Sequence, residues 1–246
     1  MPESAEAKSK TPRYALLDEL RGAAIILMVI YHAFYSLGYV FGSERGRSLF
    51  AAMTPAQPFI AGTFILLCGL CCRLSRSNLK RGLVLAGAAA LVTLATLAMT
   101  LFGVNEVIRF GILHFLACAV LLFSLIVKLP EIIPPWVQVT AFASLFFLFR
   151  FWRPFPPTDF FLLYALGFPS ATLRSADYFP LLPWLFLFLA GTAIGVYAKQ
   201  GRFPAWCVKS RVPPLAWLGR HSLLIYLLHQ PALAGLFSLL RLAGKN

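Results

Sequence analysis

Apolar residues run along this chain in long unbroken blocks separated by short polar or basic stretches. The blocks cover 21–41, 58–74, 82–102, 109–128, 135–150, 178–198 and 216–240. None alternates polar and apolar positions with a period of two, so the lumen-facing pattern of a membrane β-barrel is missing. Each approaches the length a helix needs to cross a ~30 Å hydrocarbon core. The pattern therefore predicts an all-α, polytopic transmembrane helical bundle with about seven spans. A further apolar stretch, Phe160 to Phe168, is too short to cross and is bracketed by Pro154, Pro156, Pro157 and Pro169, which predicts an interfacial or re-entrant element. The first block is longer than the core of a signal peptide and lacks an Ala-x-Ala site, so it reads as a retained helix. The division expected is a cytoplasmic N-terminal tail over 1–13 and one membrane domain over 14–242.

Composition sharpens this picture. Hydrophobic residues make up 59% and charged residues 13% of the chain, a balance no soluble domain of this size carries. The formal net charge is +13, from 22 Lys and Arg against 9 Asp and Glu. With the N-terminus in the cytoplasm, twelve of the basic residues fall on inner segments and eight on outer ones, which favours that orientation. The excess charge is thus a topology signal with a preference for anionic lipid, and without basic clusters interleaved with aromatics it gives no reason to expect nucleic acid. Five cysteines include the run CGLCC at 68–72. Cys68 and Cys71 lie one helical turn apart with no second ligand pair, so packing is the expected role and a redox or metal role the alternative, while Cys71 and Cys72 beside Arg73 suit palmitoylation.

Ionisable groups within the apolar blocks stand out because a charge at the bilayer centre costs about 3 to 10 kcal/mol. The first block opens LLDELRGAAIILMVIYH. Asp18 and Arg21 share a helix face, either as an interfacial ion pair or as a site where Arg21 receives a phosphate or carboxylate. His32 lies eleven residues beyond Arg21, ~16 Å along a helix, where it is either satisfied by a neighbouring helix or acts as a general base. The last block, WLGRHSLLIYLLHQPALAG, places Arg220 and His221 at its start and His229 deeper, with Tyr226 three residues before it and Pro231 breaking the ladder after it. His32 and His229 are expected at comparable depth. The fourth block carries Arg109 and His114, which with Glu106, Asp159, Arg174 and Asp177 form either an outer polar vestibule or ordinary loop charge. Asp177 also suits the N-cap of the sixth span, whose first turn holds Pro180 and Pro183. No Walker loop, Gly-x-Gly-x-x-Gly element or zinc spacing occurs, and no metal is expected.

Four stretches in order, LDELRGAAIILMVIYHAFYSLGYVF, FGILHFLACAVLL, ADYFPLLPW and LGRHSLLIYLLHQP, resemble the bacterial membrane proteins grouped with the catalytic domain of heparan-α-glucosaminide N-acetyltransferase, and more loosely the wider membrane acyltransferases. The resemblance implies acetyl transfer from cytoplasmic acetyl-CoA to an amino sugar or other glycan-like acceptor across a membrane, with the bacterial inner membrane as the expected location. By position it matches Asp18, Arg21 and His32 in the first block, His114 in the fourth and His229 in the last. Together with the chemistry of the residues themselves, this makes His32, His229 and His114 the catalytic candidates and Asp18, Arg21, Arg109, Tyr226 and Asp177 the substrate-binding ones. The lysosomal enzyme's own proposed histidine falls in a loop that here reads GSERGRS, so either His32 has taken over that role or this branch does something else. Acetyl-CoA, the acceptor and membrane lipid are the expected partners, with room for a homodimer. The alternatives are a proton-coupled transporter or permease of a small polar solute or lipid-linked intermediate, and a membrane scaffold.

Overall fold

A computed structural model describes residues 13–104, 106–126, 133–152 and 155–243. Residues 1–12 of the expected tail over 1–13, with Lys8 and Lys10, and the positions Lys128, Arg153, Pro154 and Lys245 lie outside the described residues. Among the described residues the chain is mostly helical, its helices joined by turns and loops, with no strand. The helices are α1 (Ala15–Tyr35), extended by one π turn (Ser36–Val40), α2 (Glu44–Met53), α3 (Gln57–Leu74), α4 (Asn78–Met99), α5 (Ile112–Ile126), α6 (Pro135–Phe151), α7 (Phe161–Leu166), α8 (Leu181–Lys199), α9 (Pro213–Arg220) and α10 (Ser222–Ala243).

The first six apolar blocks each fall on one helix, and the last is shared between α9 and α10. Five continuous helical runs are long and apolar enough to cross a membrane: Ala15–Val40, Glu44–Leu74, Asn78–Phe102, Leu181–Lys199 and Ser222–Ala243. The helices α5 and α6 are apolar but shorter, at 15 and 17 residues. Their lipid-facing surfaces are plain in α4, where Leu79, Leu83, Leu94 and Leu97 are each more than half exposed. The short apolar stretch among prolines forms α7, closed by Gly167 at φ 123°.

Two expectations are corrected. The last block is not one helix: it breaks at His221, with α9 before the break and α10 after it. The reason is packing rather than propensity. A Cβ on Gly219 would lie 1.8 Å from the Asp18 carbonyl oxygen, and one on Gly22 would lie 2.0 Å from the Leu215 carbonyl oxygen, so α9 presses backbone to backbone on the start of α1. The buried carboxylate of Glu19 fixes that seat by accepting from Ser210 Oγ and from the N–H groups of Arg211 and Val212, just ahead of α9. The second correction concerns Asp177, which does not cap α8. Its Oδ2 accepts from the Ile112 N–H at 3.0 Å and so caps α5. The N-cap position of α8 belongs to Pro180, and Leu182 stays extended at φ −96°, ψ 128°, as a residue before proline prefers, so the regular helix starts at Pro183.

The centre of the bundle is the contact of α3, α5 and α8, where Ile65, Phe115, Val120 and Phe188 are fully buried. Between helices in lipid the drive to associate is close packing, which small residues permit. Here Gly191 and Gly195 on α8 face the Leu66 and Leu70 carbonyls of α3, and Gly69 on α3 faces the Phe188 carbonyl of α8. A Cβ on Gly191 would sit 2.2 Å from the Leu66 carbonyl oxygen, and one on Gly69 would sit 2.1 Å from that of Phe188. Backbone atoms cannot swing aside as a side-chain end can. Gly191→Val is therefore expected to cost about 1–3 kcal/mol or more, read as a lower thermal midpoint in detergent; an unchanged midpoint would mean that α3 and α8 are not this close.

Tyr14 donates to the Ala198 carbonyl oxygen at 2.8 Å, which ties the start of α1 to the end of α8. This end of the bundle, called the first end below, also holds the α3–α4 turn and α9. The opposite, far end holds α2, α7 and the loops before α5 and α8.

Candidate functional site

The bundle encloses a cavity of about 1400 Å³. Its walls come from periodic faces. On α1, Asp18, Arg21, Ile25, Met28, His32 and Tyr35 recur at steps of three and four, and all line it. On α3 the same spacing brings Gln57, Ala61, Phe64, Cys68 and Cys71 to the opposite wall, and on α10 it brings Ser222, Tyr226 and Gln230. The ends of α4 and the start of α5 complete the enclosure.

At the first end the cavity is cationic. Arg13, Arg21, Arg76, Lys80, Arg81 and Arg220 all line it. Asp18 organises two of these charges: its Oδ2 accepts from Arg13 at 2.8 and 3.0 Å, and its Oδ1 accepts from Arg21 Nη1 at 3.0 Å. Arg21 reaches across with Nη2 to Cys71 Sγ, at 2.6 Å. One buried carboxylate facing six cations leaves the end strongly positive, which suits a polyanionic ligand. Arg73, close by in sequence, lies over the Phe123 ring at 5.0 Å and points Nε at the Thr192 carbonyl oxygen, and Arg202 is not on the wall.

Deeper in, two histidines meet. The rings of His32 and His229 are 4.8 Å apart, edge to face. His32 Nδ1 lies 2.9 Å from the Met28 carbonyl oxygen, and because a carbonyl only accepts, Nδ1 carries the proton and the Nε2 lone pair is left to act. His229 makes the same kind of bond to the Tyr226 carbonyl oxygen, but its Nε2 is buried and has no hydrogen-bond partner. A buried unpaired nitrogen is costly, and its retention calls for a reason other than packing. His32 lines the cavity and His229 stands behind it. Tyr226, also on the wall, donates its hydroxyl to Asp177 Oδ2 at 3.4 Å. Ser36 on the π turn donates to Gln230 Oε1 at 3.4 Å and closes α1 onto α10 beside the pair.

Toward the far end the walls become aromatic. Tyr31 and Tyr35 pack on Phe50 with ring centroids at 4.8 and 5.5 Å, and Glu106 lies on the same stretch of wall. The sequence reading did not single out Tyr31, Tyr35 or Phe50; their signal was the three- and four-residue step that puts Tyr35 on the face of Asp18, Arg21 and His32. The expected outer polar collection divides. Glu106 and Asp177 join the cavity, whereas Asp159 accepts from Ser170 and Thr172, both at 2.7 Å, and Arg109 is exposed away from it. The Thr172 and Ser170 hydroxyls hold the Asp159 carboxyl below the usual carboxylate range.

His114 is not brought to the cavity. The Gly111 N–H donates to its Nδ1 at 3.2 Å, so the proton is on Nε2, which donates to Thr93 Oγ1 at 2.9 Å. Thr93 passes its own hydrogen to the Ile108 carbonyl oxygen at 2.7 Å. Both ring nitrogens are used in tying α4 to the start of α5. His221 likewise bonds the Trp217 carbonyl oxygen and stacks on that indole at 4.4 Å. Among the described residues no group of three His, Cys, Asp or Glu side chains could hold a metal ion.

No curated protein and no solved structure matches the chain. The family model described as heparan-alpha-glucosaminide N-acetyltransferase, catalytic, matches residues 13–231. That interval begins at the first cavity cation, Arg13, and takes in Asp18, Arg21, His32, Cys71, Asp177, Tyr226, His229 and Gln230. With most of its length under this one model, and with its long apolar helices, the chain is an integral membrane protein that belongs to the heparan-α-glucosaminide N-acetyltransferase catalytic family.

Proposed function

We propose that this protein is a membrane acetyltransferase that takes acetyl-CoA at the cationic first end and acetylates an amino sugar or other glycan-like acceptor entering from the far end. The observation that carries this reading is the single cavity running from the six cations past His32 to the aromatic wall of Tyr31, Tyr35 and Phe50. The family as a whole uses acetyl-CoA as its acetyl donor. The phosphates of coenzyme A match the cations around Arg21. The ~16 Å of helix between Arg21 and His32 is comparable with an extended pantetheine arm.

In this reading His32 is the base. Its Nε2 takes the proton from the acceptor nitrogen or hydroxyl as that atom attacks the thioester carbonyl, and the imidazolium then returns the proton to the departing coenzyme A thiolate. Tyr226 supplies a hydroxyl donor for the developing oxyanion by turning its one hydrogen to it from Asp177, which accepts it in the resting site. The aromatic wall and Glu106 receive the acceptor. With the N-terminus cytoplasmic, the first end faces the donor's compartment; we place the protein in the bacterial inner membrane and leave room for a homodimer.

The test is transfer of labelled acetyl from acetyl-CoA to glucosamine and to a panel of glycan-like acceptors by purified protein in detergent. Label appearing on an acceptor supports the reading. A cavity open toward both ends also suits a permease, which would move a solute unchanged; solute uptake into vesicles without any label transfer would replace acetyl transfer with transport.

A further inference from the structure

Cys71 has no part in that mechanism, yet it stands on the wall where the thioester donor would bind. Of the five cysteines, only Cys68 and Cys71 line the cavity. Cys72 is 1% exposed, the free thiol of Cys68 shares a hydrogen bond with that of Cys72, and Cys118 and Cys207 lie off the wall. Cys71 alone is both partly open and met by a cation, with Arg21 Nη2 donating to its Sγ at 2.6 Å. The Arg21 fork is divided between this sulfur and the Asp18 carboxylate, so Asp18 sets the guanidinium against the thiol. Arg76, Lys80 and Arg81 add positive charge around the same space. An electropositive, partly exposed setting is where reactive cysteines are found, because the thiolate is the nucleophile.

We propose that Cys71 is a site of S-acylation by the acyl-CoA bound in the cavity, through direct thioester exchange. This rests on the donor reading given above. The Cys71 thiolate attacks the carbonyl carbon of the bound thioester. A bond forms between that carbon and Sγ, the bond from carbon to the coenzyme A sulfur breaks, and coenzyme A leaves as its thiolate. The proton shed by the Cys71 thiol passes through water to that leaving thiolate, so one thioester replaces another with no oxidant, reductant or net proton change. The adduct neutralises the sulfur, withdraws it from Arg21 and fills part of the donor end, and so slows uptake of the next donor.

The experiment has two arms on the purified full chain in detergent. In the first, protein is incubated with acetyl-CoA while binding is followed by calorimetry, then digested and mapped by mass spectrometry. One acetyl group on Cys71, removed by neutral hydroxylamine and missing in Cys71→Ser, is the expected result. Binding without acetyl on Cys71, or acetyl spread evenly over the five cysteines, overturns the inference while leaving the donor reading in place; no binding at all overturns both. In the second arm iodoacetamide, which needs no donor, alkylates the unliganded protein. Cys71 is expected to react about tenfold faster than Cys118, which is also partly open, and to slow to that level in Arg21→Gln. Equal rates at Cys71 and Cys118 in the wild-type protein would mean that Arg21 does not activate the sulfur.

Discussion

Replacing His32 with alanine leaves acetyl-CoA binding in place and lowers turnover by about 10²- to 10⁴-fold, the range that a general base contributes. The expectation follows from which nitrogens are occupied. His32 uses Nδ1 on the Met28 carbonyl and keeps Nε2 at the cavity wall. His114 uses both nitrogens, so His114→Ala is expected to loosen the α4–α5 connection and lower the thermal midpoint without a selective loss of chemistry. His229 is the discriminating neighbour. His229→Phe keeps a ring against His32 and removes the buried Nε2; turnover that survives this change but not His32→Ala assigns the base to His32. The reverse order would move the base to His229, and wild-type turnover in both variants would remove histidine catalysis from the account. The measurement is steady-state turnover with binding followed separately by calorimetry.

The second large effect is on the donor. Arg21→Gln removes a cation held by Asp18 against the cavity and is expected to raise the Kd of acetyl-CoA by about ten- to a hundredfold, the equivalent of one charge-assisted contact of about 1.5–3 kcal/mol. Because Asp18 also holds Arg13, Asp18→Asn is expected to weaken binding in the same direction, by releasing both guanidinium groups. The effect should fall with added salt, since the cavity is open to water and its charges are screened there. Calorimetry at low and high salt checks this. An Arg21→Gln protein that binds acetyl-CoA like the wild type, while His32→Ala does not, would place the donor at the other end of the cavity.

Much of the architecture was legible because lipid imposes one rule on every span: apolar side chains outside and all backbone groups paired within the helix. That rule wrote the seven apolar blocks, and the first six each coincide with a helix. It also made His32 and His229 conspicuous, and their meeting at 4.8 Å was foreshadowed by similar depth on helices running the same way. What the rule does not encode is which faces meet. The break at His221 hides inside an apolar run because it is set by Gly219 pressing on Asp18 from another helix. Asp177 reads as a cap for the nearest helix downstream, but its loop folds back to α5, a choice made by tertiary contact and not by spacing. Glu19 drew no reading from the sequence, although it seats α9 through three hydrogen bonds. The pairing of Arg21 with Cys71 joins residues fifty positions apart and carries no local signal.

The central claim is that donor and acceptor reach one cavity from opposite ends. It is tested most directly in sealed proteoliposomes with labelled acetyl-CoA trapped inside and a membrane-impermeant amino-sugar acceptor outside. The account predicts labelled acceptor in the outer solution, produced by the fraction of molecules whose cationic end faces the lumen, and about 10²- to 10⁴-fold less of it from His32→Ala protein. Product formed only when donor and acceptor share a compartment would contradict it.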